Sequence, residues 1–148
     1  MMQPRYQLKA GENLTTYEFL SEGSKGRIVK LIQFTTTNYH DVFNLAFGDK
    51  NGLTGQIDDK VISNNGDSEM VLATVVSALY VFTSKYPDAW IYVTGSTKSR
   101  TRLYRMGITK YLEAAKTDFQ IFGQVGNTWL EFEKDVAYES FLVKSKKQ

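Results

Sequence analysis

The sequence predicts an α+β fold in a single domain, 1–148, in which strands both precede and follow two main helices. The chain has 148 residues, a length at which one domain buries roughly 70% of its unfolded surface. Apolar residues make up 42% and aromatic residues 14%, which excludes disorder as the overall state. The periodic segments follow the order ββββ-α-β-α-ββ, and an initial run of strands followed by alternation indicates an antiparallel or mixed sheet.

Four candidate strands precede the first helix. They are rich in β-branched and aromatic residues and are separated by clusters of Gly, Asn, Asp and Ser, the pattern expected of strands and turns. Their predicted bounds are Thr16–Leu20, Arg27–Thr37, Val42–Phe47 and Gln56–Ile62.

The first helix is predicted from an N-cap at Asp67 or Ser68 to about Tyr86, before Pro87. Its apolar residues cover most of the helical wheel, which is typical of a buried helix. A strand at Ala89–Thr94 and a turn at Gly95–Ser99 then lead into a second helix.

The second helix is predicted at about Arg100–Lys116. A hairpin follows, with strands at Phe119–Val125 and Thr128–Glu133. We expect a short helix in the segment from Val136, an ordered core at about 15–143 and a basic tail at 144–148.

Composition excludes several kinds of chemistry. The chain has no cysteine and one histidine, His40, which excludes disulfides, thiolate ligands, a Cys nucleophile and a metal site with two histidines. The net charge of +2 lacks the basic excess of a general nucleic-acid binder. The longest stretch without charge, Met70–Ser84, has 15 residues and is too short to span a bilayer. We therefore expect a cytoplasmic protein without membrane contact, metal or cofactor.

The best candidate for a ligand site is the turn from the Ala89–Thr94 strand into the second helix. Helix N-termini attract anions, Gly95 permits close approach, and the hydroxyls of Ser96 and Thr97 could join Arg100 around a phosphate or carboxylate. The P-loop pattern is absent. The competing interpretation is an ordinary capped helix start with an exposed basic surface.

A helical wheel separates the cations of this segment. Lys98, Arg102, Arg105 and Thr109 share one face. Arg100 points toward the apolar arc, one turn ahead of Tyr104, and an inward arginine needs a partner. Arg102 and Arg105 are predicted to form a solvated face or a surface for an acidic partner.

Topology supplies possible neighbours. If consecutive strands form antiparallel hairpins, the turn before the third strand, the loop before the first helix and the turn after the Ala89–Thr94 strand fall at the same end of the sheet. Arg100 would then lie near several other polar residues. These residues are His40, Asp41, Asn64, Asn65, Asp67, Ser96 and Thr97. His40 is a weak candidate for a catalytic group, whereas Asn64, Asn65 and Asp67 would equally suit a turn and a helix cap.

A ribonuclease-H-like arrangement is the alternative fold. That arrangement needs carboxylates on its first strand and at the end of the strand between the helices. Glu18 and Glu69 could contribute, but the second position reads Thr94-Gly95-Ser96. The full acidic site is therefore missing, and metal-dependent nuclease activity is not expected.

Several motifs occur in a fixed order: Val42–Asp49, Ile57–Asp59, Ser63–Asp67, Val71–Val75 and Gly95-Ser96-Thr97-x-x-Arg100-Thr101-Arg102-Leu103-Tyr104-Arg105. Across about residues 15–135 the chain resembles a family of small uncharacterised bacterial proteins, mostly from Bacteroidetes. The resemblance implies a bacterial cytoplasmic setting and a stand-alone domain. It implies no activity, substrate or catalytic residue.

The sequence therefore favours a binding module that recognises a phosphate-bearing or acidic ligand, a nucleic acid or an acidic protein at residues 95–105. One alternative is a small toxin-like or nuclease-like enzyme acting on a phosphorylated or nucleic-acid substrate. In that case His40 or an acid of the Asn64–Glu69 region would transfer the proton, and Arg100 would stabilise charge. The other is a structural homo-oligomer that uses Phe132, Tyr138 and Phe141.

Overall fold

The computed structural model of the chain describes residues 4–58, 64–95 and 98–146, with no side-chain description for 112–115. Nine strands and two helices lie within these ranges. They are β1 (Lys9–Ala10), β2 (Thr16–Gly23), β3 (Gly26–Thr36), β4 (Val42–Lys50), β5 (Ile57–Asp58), α1 (Ser68–Lys85), β6 (Trp90–Val93), α2 (Lys98–Asp118), β7 (Phe119–Val125), β8 (Thr128–Glu131) and β9 (Ser140–Ser145). No helix in the described part of the chain is long and apolar enough to cross a membrane.

The α+β class and the mixed sheet are confirmed, but the predicted order of elements is wrong in two places. A two-residue strand, β1, precedes the first predicted strand, and it is too short to leave a periodic signal. The expected helix from Val136 is absent, and strand β9 forms instead. Most of the predicted Gln56–Ile62 strand lies outside the described residues.

The described residues form two compact units, and each is considered separately. Unit 1 comprises the segments up to Phe34 and from Ala46 to Lys85. Here β2 pairs antiparallel with β1 and with β3, and the end of β4 pairs antiparallel with β5. Helix α1 packs on this sheet through Phe82, whose ring stacks on Phe34 at a centroid distance of 4.0 Å.

A charged pair is buried inside unit 1. The ammonium of Lys30 on β3 forms an ion pair with the carboxylate of Asp49 on β4, and side-chain exposures are only 6% and 9%. The Lys30 ammonium also lies 5.8 Å from the centroid of the Phe47 ring. Removal of either partner would leave the other charge buried without a counterion. The pair therefore favours the alignment of the two strands that brings Lys30 next to Asp49.

Asn65 joins the loop before α1 to the hairpin of β2 and β3 through hydrogen bonds. This side chain is 3% exposed. Its amide donates to Ser21 Oγ (3.1 Å) and to the Gly26 carbonyl (2.9 Å), and its oxygen accepts from the Lys25 backbone N–H (2.6 Å). The hairpin turn has no side chain at Gly23, where a Cβ atom would lie 1.8 Å from the Asn65 carbonyl oxygen. The side-chain amide of Asn65 thus makes the hydrogen bonds that water would otherwise make with these groups.

Asp67 occupies the predicted N-cap position of α1, since its carbonyl accepts the backbone N–H of Val71 at 3.0 Å. Its carboxylate accepts hydrogen bonds from Tyr6 (2.6 Å) and Ser21 (2.5 Å). Burial and, secondarily, the hydrogen bond to Asp67 raise the pKa of Tyr6. The helix start therefore also orders the N-terminal segment, whose Tyr6 N–H donates to Thr74 on α1.

Unit 2 comprises Thr35–Leu45 and the chain from Tyr86 onward. Its strands lie in the order β4-β6-β9-β7-β8. The β4–β6 pair is parallel and the other pairs are antiparallel. Burial alternates along β6, β7 and β9, so one face of this sheet forms the core and the other is half-exposed.

Asn65→Ala should destabilise the protein by about 2–4 kcal/mol, because it removes the three hydrogen bonds that the buried Asn65 side chain makes with Ser21, Lys25 and Gly26. Chemical denaturation would measure the loss. The matched control is Asn64→Ala, which removes an exposed side chain that accepts the Gly66 N–H and should cost less than about 1 kcal/mol. Equal losses in the two variants would contradict this role of Asn65.

Candidate functional site

The turn from β6 into α2 is tightly closed at Gly95. The Gly95 N–H donates to the Thr101 hydroxyl at 3.2 Å. A Cβ atom at this position would lie 2.3 Å from the Thr101 backbone nitrogen and 2.7 Å from the Arg100 carbonyl carbon. The absent side chain therefore lets the strand end approach the first turn of the helix. Ser96 and Thr97 lie outside the described residues.

Arg100 faces inward, as the helical wheel predicts. It is half-buried and forms a hydrogen bond with Tyr104, which is 7% exposed. Burial raises the pKa of Tyr104 to about 12, while the charge and hydrogen bond of Arg100 act in the opposite direction. One partner of this inward arginine is thus the buried hydroxyl of Tyr104. The pair stabilises the start of α2 in unit 2.

The opposite face of α2 forms one wall of a groove of about 610 Å³. Arg102, Arg105 and Thr109 line it, in agreement with the predicted face. Met106 and Lys110 complete this wall, and the far wall is the loop Asp135–Ala137 between β8 and β9. Among the described residues, no ion pair joins Arg102 or Arg105 to a carboxylate.

The charge at the start of α2 is opposite to what an isolated helix favours. The first turn carries no acidic residue. Lys98, Arg100 and Arg102 lie at this end instead, where the helix dipole is positive and stabilises anions. Among the residues whose side chains are described, the groove is lined by Arg102, Arg105 and Lys110 and by one carboxylate, Asp135. The helix start and the groove together form a region where an anion would relieve unfavourable electrostatics.

His40 does not lie near this region. Strand β4 runs parallel to β6 with Val42 opposite Trp90, and the Trp90 N–H donates to the Asp41 carbonyl at 2.7 Å. The His40 turn therefore adjoins the beginning of β6, whereas Gly95 follows its end. The predicted grouping of His40 with Arg100 is wrong, because the crossover through α1 makes the two strands parallel. His40 is 94% exposed and contacts Asp41 at 3.2 Å.

The other predicted ligand residues belong to unit 1. Asn64 is exposed, and its oxygen accepts the Gly66 N–H. The polar groups of Asn65 and Asp67 make the internal hydrogen bonds described above. The turn before α1 and the N-cap of α1 account for these three residues. A part for them in ligand binding stays a prediction.

The three aromatic residues predicted for an oligomer surface lie in the core. Phe132, Tyr138 and Phe141 are 4%, 3% and 0% exposed. Tyr138 packs over Gly123, where a Cβ atom would be 2.2 Å from the ring. A surface role for this trio is therefore wrong. The pairing of β9 with β6 and β7, which short-range patterns do not predict, places Phe141 in the core.

The carboxylates considered for a ribonuclease-H-like site have other roles. Glu18 pairs with Lys50 at 2.8 Å, and Glu69 lies exposed in the first turn of α1. Within the described ranges, no group of three or more His, Asp or Glu side chains could hold a metal ion.

Sequence reasoning missed the far wall of the groove. Asp135 adopts a positive φ of 65°, a conformation that Asp tolerates better than most residues. The Lys134-Asp135 pair is a weak turn signal by itself. Nothing in the local sequence indicates that this loop returns to α2, because that contact depends on the position of β9.

Comparison with known families finds one match that covers nearly the whole chain. One family model, described as a family of unknown function (DUF6934), matches residues 2–146. No curated protein and no solved structure matches the chain.

Gly95→Ala should destabilise the protein by about 1–3 kcal/mol, since the new methyl group overlaps the backbone of the first turn of α2. Gly52→Ala is the control, because a Cβ atom there meets nothing within 4 Å. Thermal or chemical denaturation would compare them. A Gly95→Ala variant as stable as Gly52→Ala would show that α2 does not start against the strand end.

Tyr104 should make stability fall at alkaline pH. Its pKa of about 12 in the folded protein exceeds the ordinary value of 10.0, so the folded state retains a proton that the unfolded state loses. The contribution is complete below pH 10 and is lost as pH rises toward 12, and the shift corresponds to about 2–3 kcal/mol.

Tyr104→Phe removes this titration. Its stability, compared with that of the wild type by denaturation at a series of pH values, should therefore fall less steeply between pH 10 and 12. Tyr39→Phe, at an exposed tyrosine, is the control and should follow the wild type. Parallel curves for the wild type and Tyr104→Phe would contradict the raised pKa.

Proposed function

We propose that this chain, which belongs to the family of unknown function DUF6934, is a non-enzymatic binding module for an anionic group at helix α2. The ligand is a phosphate-bearing molecule or an acidic segment of a partner. The resemblance of its motifs to small bacterial proteins is the basis for proposing that it acts in a bacterial cytoplasm.

The observation that carries this proposal is the groove beside α2. Arg102 and Arg105 lie about one turn apart on the same wall, so their guanidinium groups can contact one ligand together. Arginine offers planar, bidentate donors to phosphate and carboxylate oxygens. Since neither arginine has a carboxylate partner among the described residues, an incoming anion displaces no ion pair between these arginines and a described side chain.

The start of α2 adds a second attraction. The positive end of the helix dipole and the cations Lys98 and Arg102 act in the same direction on an approaching anion. Arg100 supports the site from inside, because its bond to Tyr104 fixes the first turns on which the other arginines are mounted. Arg100 thus positions the site, while Arg102 and Arg105 contact the ligand.

The far wall predicts selectivity. Asp135 faces the groove from the loop between β8 and β9, and its carboxylate opposes a ligand that carries negative charge along its whole length. A compact anionic group at the arginine wall is tolerated better. The proposed ligand therefore presents its anion at one end and an uncharged part toward Val136, Ala137 and Met106.

Arg102→Gln combined with Arg105→Gln should weaken binding of pyrophosphate, used as the probe, by about tenfold or more, because two charge-assisted hydrogen bonds are lost. Asp135→Asn should strengthen binding severalfold by removing the opposing charge. Calorimetry and NMR shifts of the α2 amides would measure both effects.

Arg27→Gln is the matched control, since Arg27 is an exposed arginine on β3 that does not line the groove. It should bind like the wild type. Binding that is unchanged in the double variant, or equally weakened in Arg27→Gln, would show that the groove does not recognise the anion.

A further inference from the structure

The half-exposed face of the unit 2 sheet is unusually rich in aromatic rings. Residues directly opposite each other in paired strands share a face, and the pairings place Trp90 with Lys144, Tyr92 with Leu142, and Leu142 with Phe122. Trp129 lies opposite Gln124, which is on the same side of β7 as Phe122. We call the set Trp90, Tyr92, Phe122 and Trp129 the aromatic face.

These rings differ from the core residues of the same strands. The other side of β6 carries Ile91 (0% exposed) and Val93 (5%). All four rings of the aromatic face retain partial exposure to solvent. They contact each other in two pairs, Trp90 with Phe122 at 5.9 Å and Tyr92 with Trp129 at 6.3 Å between centroids. Rings that stay partly in water on one sheet face are available to contact a ligand.

Positive charge borders the aromatic face. The Lys144 ammonium lies 5.2 Å from the centroid of the Trp90 ring. Next to it, a cavity of about 410 Å³ is lined by Phe122 and Gln120 of this face together with Lys116 and Lys146. The ammonium groups of Lys144 and Lys146 donate to backbone carbonyls.

In the described part of the chain, no ion pair engages Lys116, Lys144 or Lys146. The facing carboxylate is that of Glu131, which also lines the cavity. The described charged side chains that line the cavity are two lysines and Glu131, so the lining carries a net positive charge.

We propose that the aromatic face binds single-stranded nucleic acid, with bases stacked on its rings and phosphates held by Lys116, Lys144 and Lys146. A sheet surface that stacks unpaired bases on aromatic residues beside cations is a general solution to this recognition problem. A duplex does not fit, because its bases are already stacked on each other. The site is distinct from the α2 groove and does not depend on it.

The successive positions Trp90 and Tyr92 lie two residues apart on one strand, about 6.6 Å along it. Phe122 and Trp129 extend the rings across β7 and β8. One strand of nucleic acid can thus place several bases on the face without sequence-specific hydrogen bonds. We expect tolerance of base sequence, with affinity set by stacking and by the lysines.

The chain contains its own reporter, since it has two tryptophans and both belong to the aromatic face. Titration with single-stranded dT or rU oligonucleotides of about 12 nucleotides should quench tryptophan fluorescence saturably. The logarithm of the affinity should fall with the logarithm of salt concentration with a slope of about −2, as expected for three phosphate contacts. A duplex of the same length should quench much less.

Trp129→Ala should weaken binding about fivefold to a hundredfold, with Trp90 as the remaining reporter, and Trp129→Phe should restore most of it. Lys144→Gln should weaken binding and reduce the salt slope. Tyr39→Ala removes an aromatic ring that is 75% exposed on a turn and should leave binding unchanged. The Arg102→Gln, Arg105→Gln variant should also quench normally, which separates this site from the proposed groove.

The proposal is overturned if single strands do not quench, if duplex quenches equally, or if Trp129→Ala binds like Tyr39→Ala. It is also overturned if sedimentation shows a dimer in which the tryptophans are shielded from acrylamide. That result would assign the aromatic face to self-association instead.

Discussion

Unit 2 depends on the insertion of β9 between β6 and β7. Each of these two strands would otherwise leave a row of backbone N–H and C=O groups without partners, and β9 satisfies both rows at once. Its alternating side chains place Phe141 and Val143 in the core and Leu142 and Lys144 on the aromatic face. The last strand of the chain therefore decides which residues of three strands are buried and which remain available.

The same insertion positions residues of both the groove beside α2 and the aromatic face. It returns the chain past Asp135–Ala137, which forms the far wall of the groove beside α2. It also carries Lys144 to the Trp90 ring and Lys146 to the cavity next to Phe122. The two surfaces differ in chemistry, because the groove presents two arginines beside aliphatic side chains, whereas the aromatic face presents rings bordered by lysines. Rings and guanidinium groups select different parts of a ligand.

Helix α2 combines two opposite uses of arginine. Arg100 is directed inward and bonds a buried phenol, while Arg102 and Arg105 line a groove open to solvent. A helix that begins with cations is weakened by its own dipole. It is held in place by the close contact at Gly95 and by burial of Tyr104. The start of α2 is thus stabilised by packing against an unfavourable distribution of charge.

Periodicity was sufficient for much of the chain, because the 3.6-residue and two-residue repeats are local properties. It determined the class of fold, the bounds of both helices to within about two residues, and the division of the arginines between two faces of α2. Composition alone excluded chemistry that needs cysteine and metal sites that need two histidines.

Only the tertiary structure decided which strands are neighbours. The parallel pairing of β4 with β6 moved His40 away from Arg100, and the pairing of β9 turned a predicted helix into a central strand that buries Phe141. The physical reason is that strand pairing joins residues far apart in sequence, so short-range patterns carry no record of it. The residues of the candidate site were visible in the sequence, but their partners were not.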